Sequence, residues 1–77
     1  MIKFETIKKL AEIGGSDYMS KELRVVSWNG NAPKLDVRTW RLDDEGEQQP
    51  SKGITLTDDE GRALAAALNE YYNTKTA

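Results

Sequence analysis

The chain has no cysteine and no histidine, and no apolar run approaching the roughly 20 residues of a membrane span. Without cysteine there is no disulfide staple and no thiolate zinc site; without histidine the commonest metal ligand and general base is missing. Ser-His and Cys-His nucleophiles therefore lack a partner, and no G-x-x-x-x-G-K-[ST] or G-x-G-x-x-G stretch is present to cradle nucleotide phosphates. Carboxylates are plentiful, but Asp43-Asp44-Glu45 and Asp58-Asp59-Glu60 fall in a polar loop and at a helix start. Both places suit solvation and capping rather than a buried acid/base pair, and the loop lacks the ligand spacing of an EF-hand. These absences predict a protein that is not an enzyme, with no cofactor and no metal. The first residues lack the apolar core of a signal peptide, so the expected location is the cytoplasm.

What is present is small: 77 residues, 8.6 kDa, 38% apolar. A chain of this size buries only about 60% of the surface it exposes when extended. With no staple or metal to support so thin a core, a partner subunit is the remaining support, and oligomerisation is expected. The net charge of -2 hides a split. Residues 1 to 42 carry eight basic and five acidic groups, a balance of +3, while residues 43 to 77 carry three basic and eight acidic, a balance of -5. Such a dipolar molecule can meet a polyanion on one face and repel it from the other; the plainer alternative is that mixed charge keeps a small domain soluble.

Thr57-Asp58-Asp59-Glu60 has the form of a capping box and predicts a helix start. Leu64, Ala67, Leu68 and Tyr71 recur at i, i+3, i+4 and i+7, an apolar stripe running to about Tyr72, after which residues 73–77 should fray. A single domain over residues 1–72 is expected. Gly53 to Thr57 alternates and reads as a short strand, and Asp43 to Lys52 reads as a solvated loop. Lys34 to Arg41 divides into Leu35, Val37 and Thr39 on one side and Lys34, Asp36, Arg38 and Trp40 on the other. Lys21 to Trp28 divides likewise into Leu23, Val25 and Ser27 against Arg24, Val26 and Trp28. Between them Asn29-Gly30-Asn31-Ala32-Pro33 supplies a hairpin turn. The N-terminal stretch is ambiguous. Phe4, Ile7 and Leu10 fall at helical spacing, yet Glu5, Ile7, Lys9, Ala11 and Ile13 are also alternate residues of a long strand; pattern leans slightly to helix.

The informative constellation is the hairpin face carrying Trp28 and Trp40 with Arg24, Lys34 and Arg38. Aromatic platforms interleaved with cations suit single-stranded nucleic acid, because every base offers a π-face and every nucleotide a phosphate. The reading needs both indoles on the solvent side. The bland alternative is that they cover the sheet or a subunit interface.

Val26-Ser27-Trp28-Asn29-Gly30, then Pro33 to Trp40, then Lys52-Gly53-Ile54-Thr55-Leu56 closely resembles the bacterial YdbC-like branch of the transcriptional positive-cofactor-four family. The order and spacing of Asp36-Val37-Arg38 and Lys52-Gly53-Ile54-Thr55-Leu56 carry the resemblance, which covers about residues 3 to 70. It implies an α+β subunit, a curved four-stranded antiparallel sheet followed by one C-terminal helix (β-β-β-β-α), in which residues 3 to 13 form the first strand. It also implies a homodimer through the helices and last strands, here Ile54, Leu56, Leu64, Leu68 and Tyr71, with single-stranded DNA across the sheet.

Arg38 and Lys52 match family positions that contact DNA, and Trp28 sits within about one residue of a stacking aromatic. At Trp40 the eukaryotic branch has a tyrosine and its stacking tryptophan falls one place later, at Arg41; the YdbC-like arrangement favours Trp40. The expectation is a largely sequence-independent single-stranded DNA-binding protein, nucleoid-associated, in transcription regulation or DNA strand handling. Trp28 and Trp40 would stack on bases and Arg24, Lys34, Arg38 and Lys52 would neutralise phosphates. RNA is an open alternative ligand, since stacking and phosphate contacts do not distinguish sugars. The rival from another class is an interaction module of the transcription machinery, with the tryptophans as anchors for a protein partner.

Overall fold

The computed structural model of the protein describes residues 3–76, with side chains through Asn73. Four strands, β1 (Phe4–Gly15), β2 (Met19–Trp28), β3 (Lys34–Leu42) and β4 (Gln48–Leu56), precede one helix, α1 (Asp58–Thr76). The sheet is a meander of order β1-β2-β3-β4, antiparallel throughout. This is the β-β-β-β-α subunit expected from the resemblance, and it settles the first element as a strand.

Why a strand should look helical is visible in its register. The pairing of β1 with β2 skips Ile7, Leu10 and Ile13, each the extra residue of a bulge. A bulge every third residue gives an apolar period of three, close to a helix's, and each bulge bends and twists the strand. The sheet is bent accordingly. Trp40 pairs with Ser20 and Trp28 with Phe4. Eight residues of β2 separate Ser20 from Trp28, roughly 27 Å of extended strand. Yet the two indoles meet at 6.4 Å between centroids, with planes 10° apart. Only a sheet rolled into a trough brings them together.

The turns follow their residues. Asn29 and Gly30 both have positive φ, 53° and 78°, the pair of left-handed residues a tight hairpin turn demands, and Asn31 N–H donates to the Trp28 carbonyl at 2.9 Å. Between β3 and β4 the turn is tighter than the expected loop. Asp43 Oδ1 accepts the backbone N–H of Glu45 and of Glu47, both at 2.9 Å, and β4 begins at Gln48. Residues 48–52, expected as loop, are thus strand. Pro50 is tolerated there because β4 is an edge, where a missing N–H breaks no ladder. The capping box forms as expected: Glu60 N–H donates to Thr57 Oγ1 at 3.1 Å, and Thr57 N–H to Glu60 Oε1 at 2.8 Å. The helix runs on past Tyr72 to Thr76, while residue 77 of the expected frayed tail lies outside the described residues.

The helix begins against the outer side of the sheet, where the Cα of Gly61 approaches Leu35 so closely that a β-carbon there would lie 2.5 Å from Cδ1. Beyond that start its apolar stripe stays open. Leu64, Leu68 and Tyr71 are exposed, as is Ile54 on β4 at 58%, while Leu56 is half-buried. The radius of gyration is 14.2 Å, against about 11.5 Å for a compact domain of this length.

Candidate nucleic-acid interface

Alternation and curvature together decide what lies in the trough. Its lining set is Glu22, Arg24, Val26 and Trp28 from β2 and Asp36, Arg38 and Trp40 from β3, with Phe4 and Thr6 from β1. The outer set, Leu23, Val25, Leu35 and Val37, is only half-buried. So the aliphatic face is the half-open one and the charged, aromatic face is the interior.

That interior is tolerable because its charges cancel in register. Glu22 faces Arg38 and Arg24 faces Asp36 across β2 and β3. Along each strand the acid also pairs with the arginine two residues on: Arg24 Nε donates to Glu22 Oε1 at 2.6 Å, and Arg38 Nε and an Nη donate to the two oxygens of Asp36 at 2.9 Å each. Neither Glu22 nor Asp36 has accessible surface, and buried carboxylates persist only when so satisfied. Each guanidinium then covers an indole, Arg24 over Trp40 at 3.8 Å and Arg38 over Trp28 at 4.7 Å. Phe4 closes the cluster against both rings, at 5.7 and 5.2 Å. Burial pushes the Glu22 carboxyl up, but hydrogen bonds from Ser20 and Arg24, the charge of Arg24 and a hydrogen bond from Gln48 outweigh it and hold the group below its ordinary value.

This geometry corrects the expectation that both indoles stand on the solvent side. They share one face, as expected, but it is the inner one. Trp40 is 1% exposed, with its indole N–H unpaired, and is part of the core with Val26. Arg24 is buried with it, its three nitrogens donating to Glu22, Thr6 and Gln48. Trp28 is half-buried and keeps one edge in a cleft of about 260 Å³ lined with Asn31, Ala32, Lys34 and Thr55. Lys34 and Trp28 are therefore brought together. Lys52 is not: with Arg38, it lines a separate cleft of about 420 Å³ that also takes in Lys21, Val37, Thr39 and Ile54. Lys21 was missed by the sequence reading, although its place directly opposite Thr39 follows from the strand register. Arg41, the alternative to Trp40, is exposed. The described residues include no acidic cluster able to hold a metal ion and no helix long and apolar enough to cross a membrane.

The described chain is thus a four-stranded antiparallel meander with a single trailing helix, carrying a lysine beside a half-buried indole on its sheet. The chain belongs to the family described as Transcriptional Coactivator p15 (PC4), whose pattern it matches over residues 19–67. That is a family of DNA-binding, transcription-cofactor-like proteins rather than of enzymes. The chain is also 44% identical over 50 residues to an uncharacterized protein of Treponema pallidum (strain Nichols), a match covering 65% of this chain and 55% of the relative. It thus spans about half the length of that relative.

Proposed function

We propose that the protein is a homodimeric single-stranded DNA-binding protein, largely indifferent to sequence, acting beside the nucleoid in transcription regulation or in handling exposed strands. The observation that carries this reading is the cleft at Trp28. There a half-buried indole, backed on one side by Arg38, borders a space with Lys34 on its rim. One base stacked on such a ring is worth roughly 1 to 3 kcal/mol. Lys34 meets the phosphate beside it, and Lys21 and Lys52, whose cleft opens on the outer face with Val37 and Ile54, take backbone that continues past the β4 rim. Trp40, Arg24 and Arg38 act from beneath, holding the trough in the shape that presents Trp28.

A partner subunit is supported by surface area. The accessible surface is 6029 Å², against roughly 4,700 Å² for a folded monomer of this mass. The excess exceeds the ~800 Å² each partner contributes to a standard interface. Exposed Ile54, Leu64, Leu68 and Tyr71, with Leu56, are the residues to fill it.

Titration with oligo-dT at low salt tests the reading. Tryptophan emission should be quenched, and the quench should vanish in Trp28→Phe. Emission that stays constant in the native chain overturns the proposal. A gel shift should favour single-stranded over duplex oligonucleotide, whose bases are already stacked; RNA of the same sequence, run beside it, shows whether the sugar matters.

A further inference from the structure

We propose that Asp36 is a positioning residue of this binding face: its buried carboxylate fixes the Trp28 indole and engages Arg38, so that base stacking falls to Trp28 and phosphate charge to the lysines. This rests on the single-strand reading above.

Four donors converge on the one carboxylate. Asp36 Oδ2 accepts from Trp28 Nε1 at 3.3 Å, from an Nη of Arg38 at 2.9 Å and from Thr55 Oγ1 at 3.3 Å, while Oδ1 accepts from Arg38 Nε at 2.9 Å. The remaining Nη of Arg38 donates to the Ser51 carbonyl at 2.8 Å. All three nitrogens of Arg38 therefore donate within the chain and its charge is matched by a carboxylate with no accessible surface, although the side chain is 16% exposed and borders the Lys52 cleft. An arginine in that state displaces few counterions from a bound strand, because its partner already neutralises it. Its flat guanidinium lies over Trp28, whose uncovered part borders the cleft shared with Lys34. The indole itself cannot swing, since its N–H is held by the same carboxylate.

Gly53 is part of the device. A β-carbon there would collide with the backbone and Cβ of Arg38, so only glycine lets β4 lie close enough for Arg38 to reach Ser51. The counterpart trio of Glu22, Arg24 and Trp40 repeats the chemistry with the lid shut: Arg24 also donates to Thr6 and Gln48, and no indole face stays open. It is a partial control: the acid–arginine–indole stack is the same and no strand has access, but Glu22 also pairs with Lys9 at 3.5 Å and leaves the Trp40 N–H unpaired.

Oligo-dT affinity measured across a salt series decides the matter, using Lys34→Gln, Arg38→Gln, Asp36→Asn and Glu22→Gln. For single strands each neutralised phosphate contributes about 0.7 to the slope of log affinity against log salt. Lys34→Gln should flatten the slope by about that amount, and Arg38→Gln by less than half of it. Asp36→Asn releases Arg38 and should steepen the slope by about 0.7, while weakening binding several-fold at high salt, where stacking carries the affinity. Glu22→Gln, made together with Lys9→Gln to remove the cation it would release, should leave the slope of Lys9→Gln as it is. Arg38→Gln flattening the slope as much as Lys34→Gln overturns the proposal, and so does a folded Asp36→Asn with native slope and affinity. If Asp36→Asn does not fold, the comparison of Arg38→Gln with Lys34→Gln decides alone. If the native chain binds no oligo-dT, the single-strand reading fails by itself. The positioning role is then read from the indole N–H resonances of the strand-free protein, where Arg38→Gln or Asp36→Asn should shift Trp28 more than the adjoining Trp40; an unmoved Trp28 signal rejects it.

Discussion

At the scale of single residues, two tryptophans on one face have opposite duties. Replacing Trp28 by Ala should cost roughly 1 to 3 kcal/mol of oligonucleotide affinity and, because the ring also packs on Phe4 and donates to Asp36, lower the urea midpoint, though by less than loss of Trp40. Trp40→Ala should instead cost about 3 to 5 kcal/mol of stability, because it empties the middle of a thin core, and circular dichroism melts will separate the two. The pairing of these residues was legible in the alternation of β2 and β3; their burial was not. Glu22, Arg24, Asp36 and Arg38 look like a solvated set until the register shows each acid facing an arginine, and no local pattern states which way a sheet rolls. Glu22 also fixes an acid limit. Its folded value lies below the ordinary 4.5, so the stabilisation it provides is complete above pH 4.5 and is lost as pH falls through the depressed value. Urea midpoints should therefore fall below about pH 4.5 in the native chain and less steeply in Glu22→Gln. Asp43 adds to the same trend: backbone N–H donation from Glu47 and then the Gln49 amide hold its carboxyl below 3.8.

At the scale of elements, the helix announces itself and the first strand disguises itself. The Thr57–Glu60 box is reciprocal, and Thr57→Ala should cost about 1 kcal/mol, seen as a lower melting temperature with unchanged DNA affinity. Such capping is a local matter of four residues and is legible in sequence. The first strand is not, because Ile7, Leu10 and Ile13 mark bulges rather than helical turns, and the pairing that reveals this lies in β2. The beginning of β4 is hidden for another reason: Gln48-Gln49-Pro50-Ser51 has no apolar alternation, since an edge strand crossing the trough's rim buries neither face fully. The family resemblance supplied what pattern could not, the identity of β1 as a strand.

At the scale of the whole molecule, charge and exposed surface set the behaviour. Four neutralised phosphates per subunit, as the sequence suggests, correspond to a salt slope near -3. With Arg24 and Arg38 engaged internally, Lys34 and Lys52 remain and Lys21 joins them, so the expected slope is near -2. The proposed dimer should be abolished by Leu64→Glu combined with Leu68→Glu, read as a monomer mass in sedimentation experiments, since two carboxylates on the open stripe forbid its burial. The knuckled first strand has one last bearing on how copies gather. Its three kinks and its neighbouring Lys8 and Lys9 spoil that rim of the sheet as a template for a foreign backbone, so growth by rim-to-rim addition is blocked on one side. Whatever joins through the opposite rim meets a dead end beyond it, and the mass of the particle should level off at a pair as concentration rises instead of climbing toward fibres.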